Sequence, residues 1–326
     1  MHDQQRRNSL IRVSRTAGLI VAAGFALAVV GSSPAVAVAP PLSEPRIVKH
    51  FDLAAGQTPE NIALEPDGSA DLTFIGNRQI AHVTLDGEVH ILATLPAPAT
   101  QATPIVGYPA VAGIVRVPSG TLYFTYSTGT SDLTGIWRLK PGGTPERIVA
   151  LPTEALLNGL ALDERHHVLY ATDSAVGVVR RVPLNGEAPT VWATGSELER
   201  TNFIGANGLK IHHGAVWVSN LDKGTLLRVP IRDDGSAGPI EVRTEDLVGI
   251  DDFTFVGHTD DIIAAVNFQQ EVVYVTPDGA HTTVLAREDG VSNPTAVALC
   301  GDTVYVTSAA FTTMHDPNLL LARLRR

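Results

Sequence analysis

From residue 45 onward the chain alternates short apolar runs with polar turns, and the alternation repeats. Each unit opens on a brief apolar strand: Ile62-Ala63-Leu64, Ile114-Val115-Arg116-Val117, Leu160-Ala161-Leu162, Leu209-Lys210-Ile211, Phe253-Thr254-Phe255 and Val297-Ala298-Leu299. A polar turn such as Pro66-Asp67-Gly68 follows, then a β-branched and aromatic strand such as Leu122-Tyr123-Phe124 or Val216-Trp217-Val218. A third strand alternates with period two, as in Gly135-Ile136-Trp137-Arg138-Leu139, the spacing of a half-buried strand. Asp86-Gly87, Gly142-Gly143, Asn185-Gly186, Asp234-Gly235 and Asp278-Gly279 then supply hairpin turns to a fourth strand.

The positions two residues before each opening run are 60, 112, 158, 207, 251 and 295, spaced 44 to 52 residues apart. Four antiparallel strands at that period predict a β-propeller blade, and six copies predict an all-β, six-bladed ring over residues 38–326. The sixth unit stops at Leu319-Leu320-Leu321-Ala322-Arg323-Leu324, a third strand with no fourth after it. Pro45-Arg46-Ile47-Val48 resembles the fourth-strand segment Pro145-Glu146-Arg147-Ile148-Val149. Residues 45–51 are therefore expected to pair with residues 319–324 and close the ring, leaving no open sheet edge at the seam.

The first 37 residues break the pattern. Arg6, Arg7, Arg12 and Arg15 precede an unbroken apolar run from Ala17 to Val30, and Ala35-Val36-Ala37 follows. This is the layout of a secretory signal peptide. Fourteen helical residues reach about 21 Å, short of a ~30 Å hydrocarbon core. Arg6-Arg7 fits a twin-arginine export signal only in part, so the general and the twin-arginine routes both stay open. Cleavage after Ala37 leaves a mature protein expected outside the cytoplasm, extracellular or periplasmic.

Charge narrows the partners. The whole chain carries 24 Lys+Arg against 34 Asp+Glu, a net −10, and loss of the leader takes this to −13. Such a surface repels nucleic acid and anionic membranes and keeps the mature protein soluble. A monomer acting on a small molecule is the expectation. Cys300 is the single cysteine, so a disulfide within the chain is excluded. Next to Val297-Ala298-Leu299 it is expected to be a buried small hydrophobe.

In a propeller the first strand of each blade lines the central channel, and the residues just before it sit at one rim. In register these are Glu60, Ala112, Asn158, Asn207, Asp251 and Thr295. Glu60, Asn158, Asn207 and Asp251 offer hard oxygen donors with a combined charge of −2, which suits Ca²⁺ or, less well, Mg²⁺. Without thiol or imidazole the ring disfavours zinc. Asn158-Gly159 and Asn207-Gly208 could instead be ordinary turns, although the hairpin turns of this chain lie elsewhere. Asp252 competes with Asp251 for the ligand position.

Glu60-Asn61-Ile62, Asn158-Gly159-Leu160-Ala161-Leu162-Asp163 and Asn207-Gly208-Leu209 resemble the senescence-marker-protein/gluconolactonase (regucalcin-like) family of six-bladed propellers. The resemblance implies one divalent ion at the channel mouth and hydrolysis of lactones or, in related members, phosphotriesters. The family's metal Glu falls on Glu60, one Asn on Asn158, and its fourth-blade acid on Asn207. Asn207 is thus a departure, and the acid appears one blade later in Asp251-Asp252; Ala112 is a second departure. Both put sugar-lactone specificity in doubt.

No G-x-S-x-G, H-E-x-x-H, P-loop or G-x-G-x-x-G motif occurs, so serine-hydrolase, zincin, NTPase and dinucleotide chemistry lack their signatures. His166-His167 and His212-His213 look like metal pairs, but neighbours on a strand point to opposite faces; both pairs occupy the turn after a first strand and are expected to be solvated turn residues. Asp173, Asn220 and Asn267 are expected to serve second-to-third-strand turns, and Trp137, Trp192 and Trp217 the core. Asp233-Asp234-Gly235 lacks the ligand spacing of a calcium loop. The loop between Leu95 and Tyr108 is expected over the rim. The leading functional expectation is a secreted metal-dependent lactone or ester hydrolase, with Asp251 as proton acceptor and Glu60 as charge-bearing ligand. A non-catalytic binding propeller and a lyase or condensing enzyme on the same scaffold are the alternatives.

Overall fold

The period-two apolar pattern builds antiparallel strands, and no helix among the described residues is long and apolar enough to cross a membrane. The computed structural model describes residues 41–325. The leader expected at residues 1–37 lies outside the described residues.

Blade 1 holds β2 (Pro59–Leu64), β3 (Ala70–Phe74), β4 (Gln79–Val83) and β5 (Val89–Thr94), and blade 2 holds β6 (Ala110–Arg116), β7 (Leu122–Ser127), β8 (Gly135–Leu139) and β9 (Glu146–Ala150). Blade 3 is β10 (Leu157–Asp163), β11 (Val168–Asp173), β12 (Val178–Pro183) and β13 (Thr190–Thr194). Blade 4 is β14 (Ala206–His212), β15 (Ala215–Asn220), β16 (Thr225–Pro230) and β17 (Glu241–Thr244). Blade 5 is β18 (Ile250–Phe255), β19 (Ile262–Val266), β20 (Glu271–Val275) and β21 (His281–Leu285). Blade 6 takes β22 (Pro294–Cys300), β23 (Thr303–Ser308) and β24 (Asn318–Leu324), and its outer strand is β1 (Leu42–His50).

The expected closure is present. β1 runs antiparallel to β24 from Leu42 opposite Leu324 to His50 opposite Asn318. The six inner strands touch in the cyclic order β2, β6, β10, β14, β18, β22 and back to β2. Cores form between blades as well as within them: Ile80 and Ala93 of blade 1 pack with Val111 and Phe124 of blade 2. Deleting residues 38–53 removes β1, exposes the edge of β24 and should lower the melting temperature by well over 10 °C in a thermal melt. An unchanged melt would contradict closure.

Each inner strand shifts register near its start, at Pro59/Asn61, Val111/Ile114, Leu157/Leu160, Ala206/Leu209, Ile250/Phe253 and Pro294/Ala296. A bulge re-aims side chains locally, and these bulges fall on the six rim positions. Hydroxyls from the second strands pin four of them to the preceding blade. Thr73 Oγ1 donates to the Ala112 carbonyl (2.8 Å) and Thr125 Oγ1 to that of Asn158 (3.3 Å). Thr172 and Ser219 donate likewise to the carbonyls of Asn207 and Asp251.

Asn158-Gly159 and Asn207-Gly208 are not turns. The hairpin glycines Gly87, Gly142, Gly186, Gly235 and Gly279 all have positive φ, whereas Gly159 and Gly208 do not and lie inside β10 and β14. A Cβ on Gly159 would stand 2.5 Å from the Asn207 carbonyl oxygen, and one on Gly208 2.6 Å from that of Asp251. Glycine is there because neighbouring inner strands pass that closely.

Three expectations need correction. Cys300 is exposed, because it follows the buried part of β22 and sits at the edge of the turn to β23. Trp137 and Trp217 are core residues, but Trp192 is only half-buried on the outer strand β13, its indole N–H donating to the Gly235 carbonyl (2.8 Å). His212 and His213 do not diverge. His213 has φ +46°, which breaks the strand alternation, and the two ring centroids lie 3.8 Å apart with the His212 side chain only 10% exposed.

Candidate functional site

Five acids are buried among the described residues: Glu60, Asp71, Asp173, Asp251 and Asp252. Three of them face a basic partner. Asp71 accepts from His82 (2.9 Å), Asp173 pairs with Arg180 (2.6 Å), and Asp252 takes both oxygens to Lys210 Nζ (2.6 Å each). Glu60 and Asp251 have no such partner among the described residues, and both line one cavity of about 410 Å³. A buried carboxylate without a counter-charge costs several kcal/mol. The arrangement is unbalanced by design or by function.

The cavity sits at the start of the inner strands. Glu60, Ala112, Asn158, Asn207 and Asp251 all line it, each from a different blade, as the register predicts. Thr295 does not. Its hydroxyl instead donates to the Pro59 carbonyl (2.9 Å) and pairs with Thr307 Oγ1 (2.9 Å), tying blade 6 to blade 1. Of Asp251 and Asp252, Asp251 lines the cavity, while Asp252 is held by Lys210 and by Asn61 Nδ2 (3.3 Å).

Asp251 is oriented from both sides. Its Oδ1 accepts from Asn207 Nδ2 (2.8 Å) and its Oδ2 from Asn267 Nδ2 (3.3 Å). Asn267 is therefore a site residue that sequence reasoning assigned to a turn. It follows β19 directly, where Asn220 ends β15 and Asp173 ends β11, and those two do serve turns and packing. The carboxylate it orients lies on a different strand, which no spacing along the chain discloses.

Burial raises the Glu60 carboxyl to about 8, with the negative charge of Asp252 adding to it. Asp251 is pushed well above the carboxylate range by burial first, then by the charges of Glu60 and Asp252. Both shifts favour the protonated carboxyls. A cation at this point would reverse that preference. The donors also fit one. Glu60 Oε2 and Asn207 Oδ1 are buried without any hydrogen-bond partner, and all the convergent donors are carboxylate or amide oxygens.

The walls above these groups are apolar. Ile75, Val106, Leu156, Leu157, Ile204 and Leu221 line them, with Tyr108, Phe203, Phe268 and Phe311 nearer the rim. No Lys, Arg or His lines the cavity. Val106 and Tyr108 come from the loop after Leu95, as expected. The other rim aromatics were missed, since connecting loops carry them. The Phe203 loop is wrapped around Asp222, whose Oδ2 accepts from the N–H groups of Thr201, Asn202 and Phe203 (2.9, 2.7 and 2.8 Å). The Phe311-Thr312 segment is held by Asn293 Oδ1, which accepts from the Thr312 and Thr313 N–H groups (2.8 and 3.1 Å).

No protein-family model matches the chain, and no curated protein matches it in sequence. Solved structures match it throughout. A gluconolactonase from Xanthomonas campestris is 16% identical with a TM-score of 0.62, covering 90% of this chain and 99% of its own. Virginiamycin B lyase from Staphylococcus aureus is 14% identical with a TM-score of 0.57, covering 86% and 100%. A luciferin-regenerating enzyme is 13% identical with a TM-score of 0.60, covering 86% and 95%. At such identities the likeness is one of fold, and chemistry has to be argued from the site. The chain has the six-bladed β-propeller fold that gluconolactonases share.

Proposed function

We propose that the protein is a hydrolase of neutral, apolar lactones or related esters, exported by its leader, with a divalent ion such as Ca²⁺ held by Glu60, Asn158, Asn207 and Asp251. The observation that carries this reading is the pair of buried carboxylates without counter-charge at the floor of an apolar cavity. When bound, a hard divalent ion supplies Lewis-acid polarisation of an acyl or phosphoryl oxygen.

The chain's own residues do the rest. Asp251 accepts the proton of an attacking water, in the ionised form that a bound cation would favour. Asn207 and Asn267 hold its two oxygens and so fix the direction from which the proton arrives. Glu60 supplies the second negative charge of the donor set. The apolar walls desolvate the ester and exclude bulk water. With so few polar groups above the floor, a polyhydroxylated sugar lactone would leave hydroxyls unpaired, which costs about 1–3 kcal/mol per buried group. An anionic substrate would find no basic residue in the cavity.

A panel of alkyl lactones, aryl esters and gluconolactone, assayed with added Ca²⁺ and with chelator, tests this. Alkyl lactones or aryl esters should turn over at least about tenfold better than gluconolactone, and chelation should remove at least about 100-fold of the rate. Heavy-oxygen water should label the product. Turnover without label would point to a lyase, and tight ion binding with no turnover to a binding propeller; either result would overturn the hydrolase reading.

A further inference from the structure

We propose a second metal site, for a divalent transition ion of the Zn²⁺ type, formed by His212, His213 and Asp260 at the opposite end of the inner strands from the cavity. β14 carries Asn207 near its start and His212 at its end, and five residues of extended chain separate them by about 17 Å. The two sites are therefore distinct, and neither proposal depends on the other.

The ligand atoms already converge. One nitrogen from each histidine and one Asp260 oxygen lie within 4.8 Å of one another, the single such cluster of His, Cys, Asp or Glu found among the described residues. His212 Nε2 and His213 Nδ1 each stand 3.2 Å from Asp260 Oδ1. The His212 side chain is 10% exposed, and its Nε2 is buried without a hydrogen bond. Phe255 stacks on the His212 ring at 3.8 Å between centroids and 11° between planes, which fixes the direction of that nitrogen. A buried imidazole nitrogen that faces a carboxylate without hydrogen-bond geometry to it is what a ligand position requires.

The donor chemistry separates this site from the cavity. Two imidazoles and one carboxylate match Zn²⁺ and its neighbours in the transition series, whereas the all-oxygen set at the cavity suits Ca²⁺. His213 and Asp260 are 55% and 38% exposed, so the ion can enter from solvent and keep a water ligand. His212 and His213 lie at the turn between β14 and β15, and Asp260 in the connection between β18 and β19. A bound ion would thus clamp blade 4 to blade 5.

The test is titration of the calcium-saturated full chain with Zn²⁺, followed by calorimetry and thermal melts. One Zn²⁺ per chain should bind with micromolar or tighter affinity and raise the melting temperature by a few degrees. His213→Ala combined with Asp260→Asn, both at exposed positions, should weaken that binding at least about 100-fold. The double variant His166→Ala/His167→Ala, at the corresponding turn of blade 3, should leave it unchanged. Absence of stoichiometric Zn²⁺ binding, or binding that survives the His213/Asp260 double substitution undiminished, would overturn the proposal.

Discussion

Replacement of Asp251 by Asn is expected to remove divalent-ion binding and to lower hydrolysis by about 10³-fold or more, with the fold intact. The substitution preserves shape, and an Asn can still meet the Asn207 and Asn267 amides after an amide flip. What is lost is a charge and a base. General-base catalysis contributes about 10²–10⁴-fold, and the ion site loses half of its formal −2. Glu60→Gln should weaken ion binding strongly as well but leave Asp251 to act, so excess Ca²⁺ should partly restore turnover in Glu60→Gln and not in Asp251→Asn. Calorimetric ion titrations beside rate measurements separate the two roles. A variant Asp251→Asn that retains turnover within about tenfold of the parent would remove Asp251 from the chemistry.

The second large effect is on stability. In the ion-free protein the Glu60 carboxyl is raised from 4.5 to about 8 by burial and by Asp252. A group whose folded pKa is raised stabilises the fold while protonated. That contribution is fully present below pH ~4.5 and is lost as the pH climbs through about 8. At pH 8 and above, ion-free protein should therefore melt well below its value near pH 5, by an amount corresponding to several kcal/mol. Glu60→Gln has no such proton to lose and should make the profile shallower across the same window, leaving the contribution of Asp251. Saturating Ca²⁺ should flatten it too, adding about 2.7 kcal/mol at a hundred times its dissociation constant. Melting curves from pH 5 to 9 on chelated, calcium-loaded and Glu60→Gln protein make the comparison. Parallel profiles in all three would contradict the account of the site.

The ring was legible because a propeller writes its period into the chain. Six equal units, five turn glycines and a sixth unit short of one strand determine both the blade number and the pairing of β1 with β24. The convergence of Glu60, Asn158, Asn207 and Asp251 on one cavity was legible for the same reason, since each occupies the same register position in its own blade. What remained hidden depends on contacts between blades. Lys210 pairs with Asp252 from one blade earlier, and Asn267 and the rim phenylalanines enter the site from loops. Cys300 and His212 misled for a local reason: adjacency to an apolar run argued burial for the first, and strand alternation argued exposure for the second. In each case the turn that follows sets the outcome. Cys300 runs out into solvent ahead of Gly301, whereas the left-handed His213 turns two imidazoles toward one carboxylate.

Blade 5 departs from its neighbours at this register position. Where blades 2, 3 and 4 place Gly113, Gly159 and Gly208 against the next inner strand, blade 5 has Asp252, which uses that place to reach Lys210 and Asn61. The second acid at the cavity is then supplied by Asp251, with Asn207 as the neutral donor beside it.

The most direct measurement is an anomalous-scattering map from crystals of the mature protein soaked with a lanthanide as a calcium substitute. One strong peak among Glu60, Asn158, Asn207 and Asp251, absent from crystals of the Glu60→Gln/Asp251→Asn variant, is the predicted result. A map from fully soaked crystals with no density among those four side chains would contradict the claim that their oxygens gather a divalent ion.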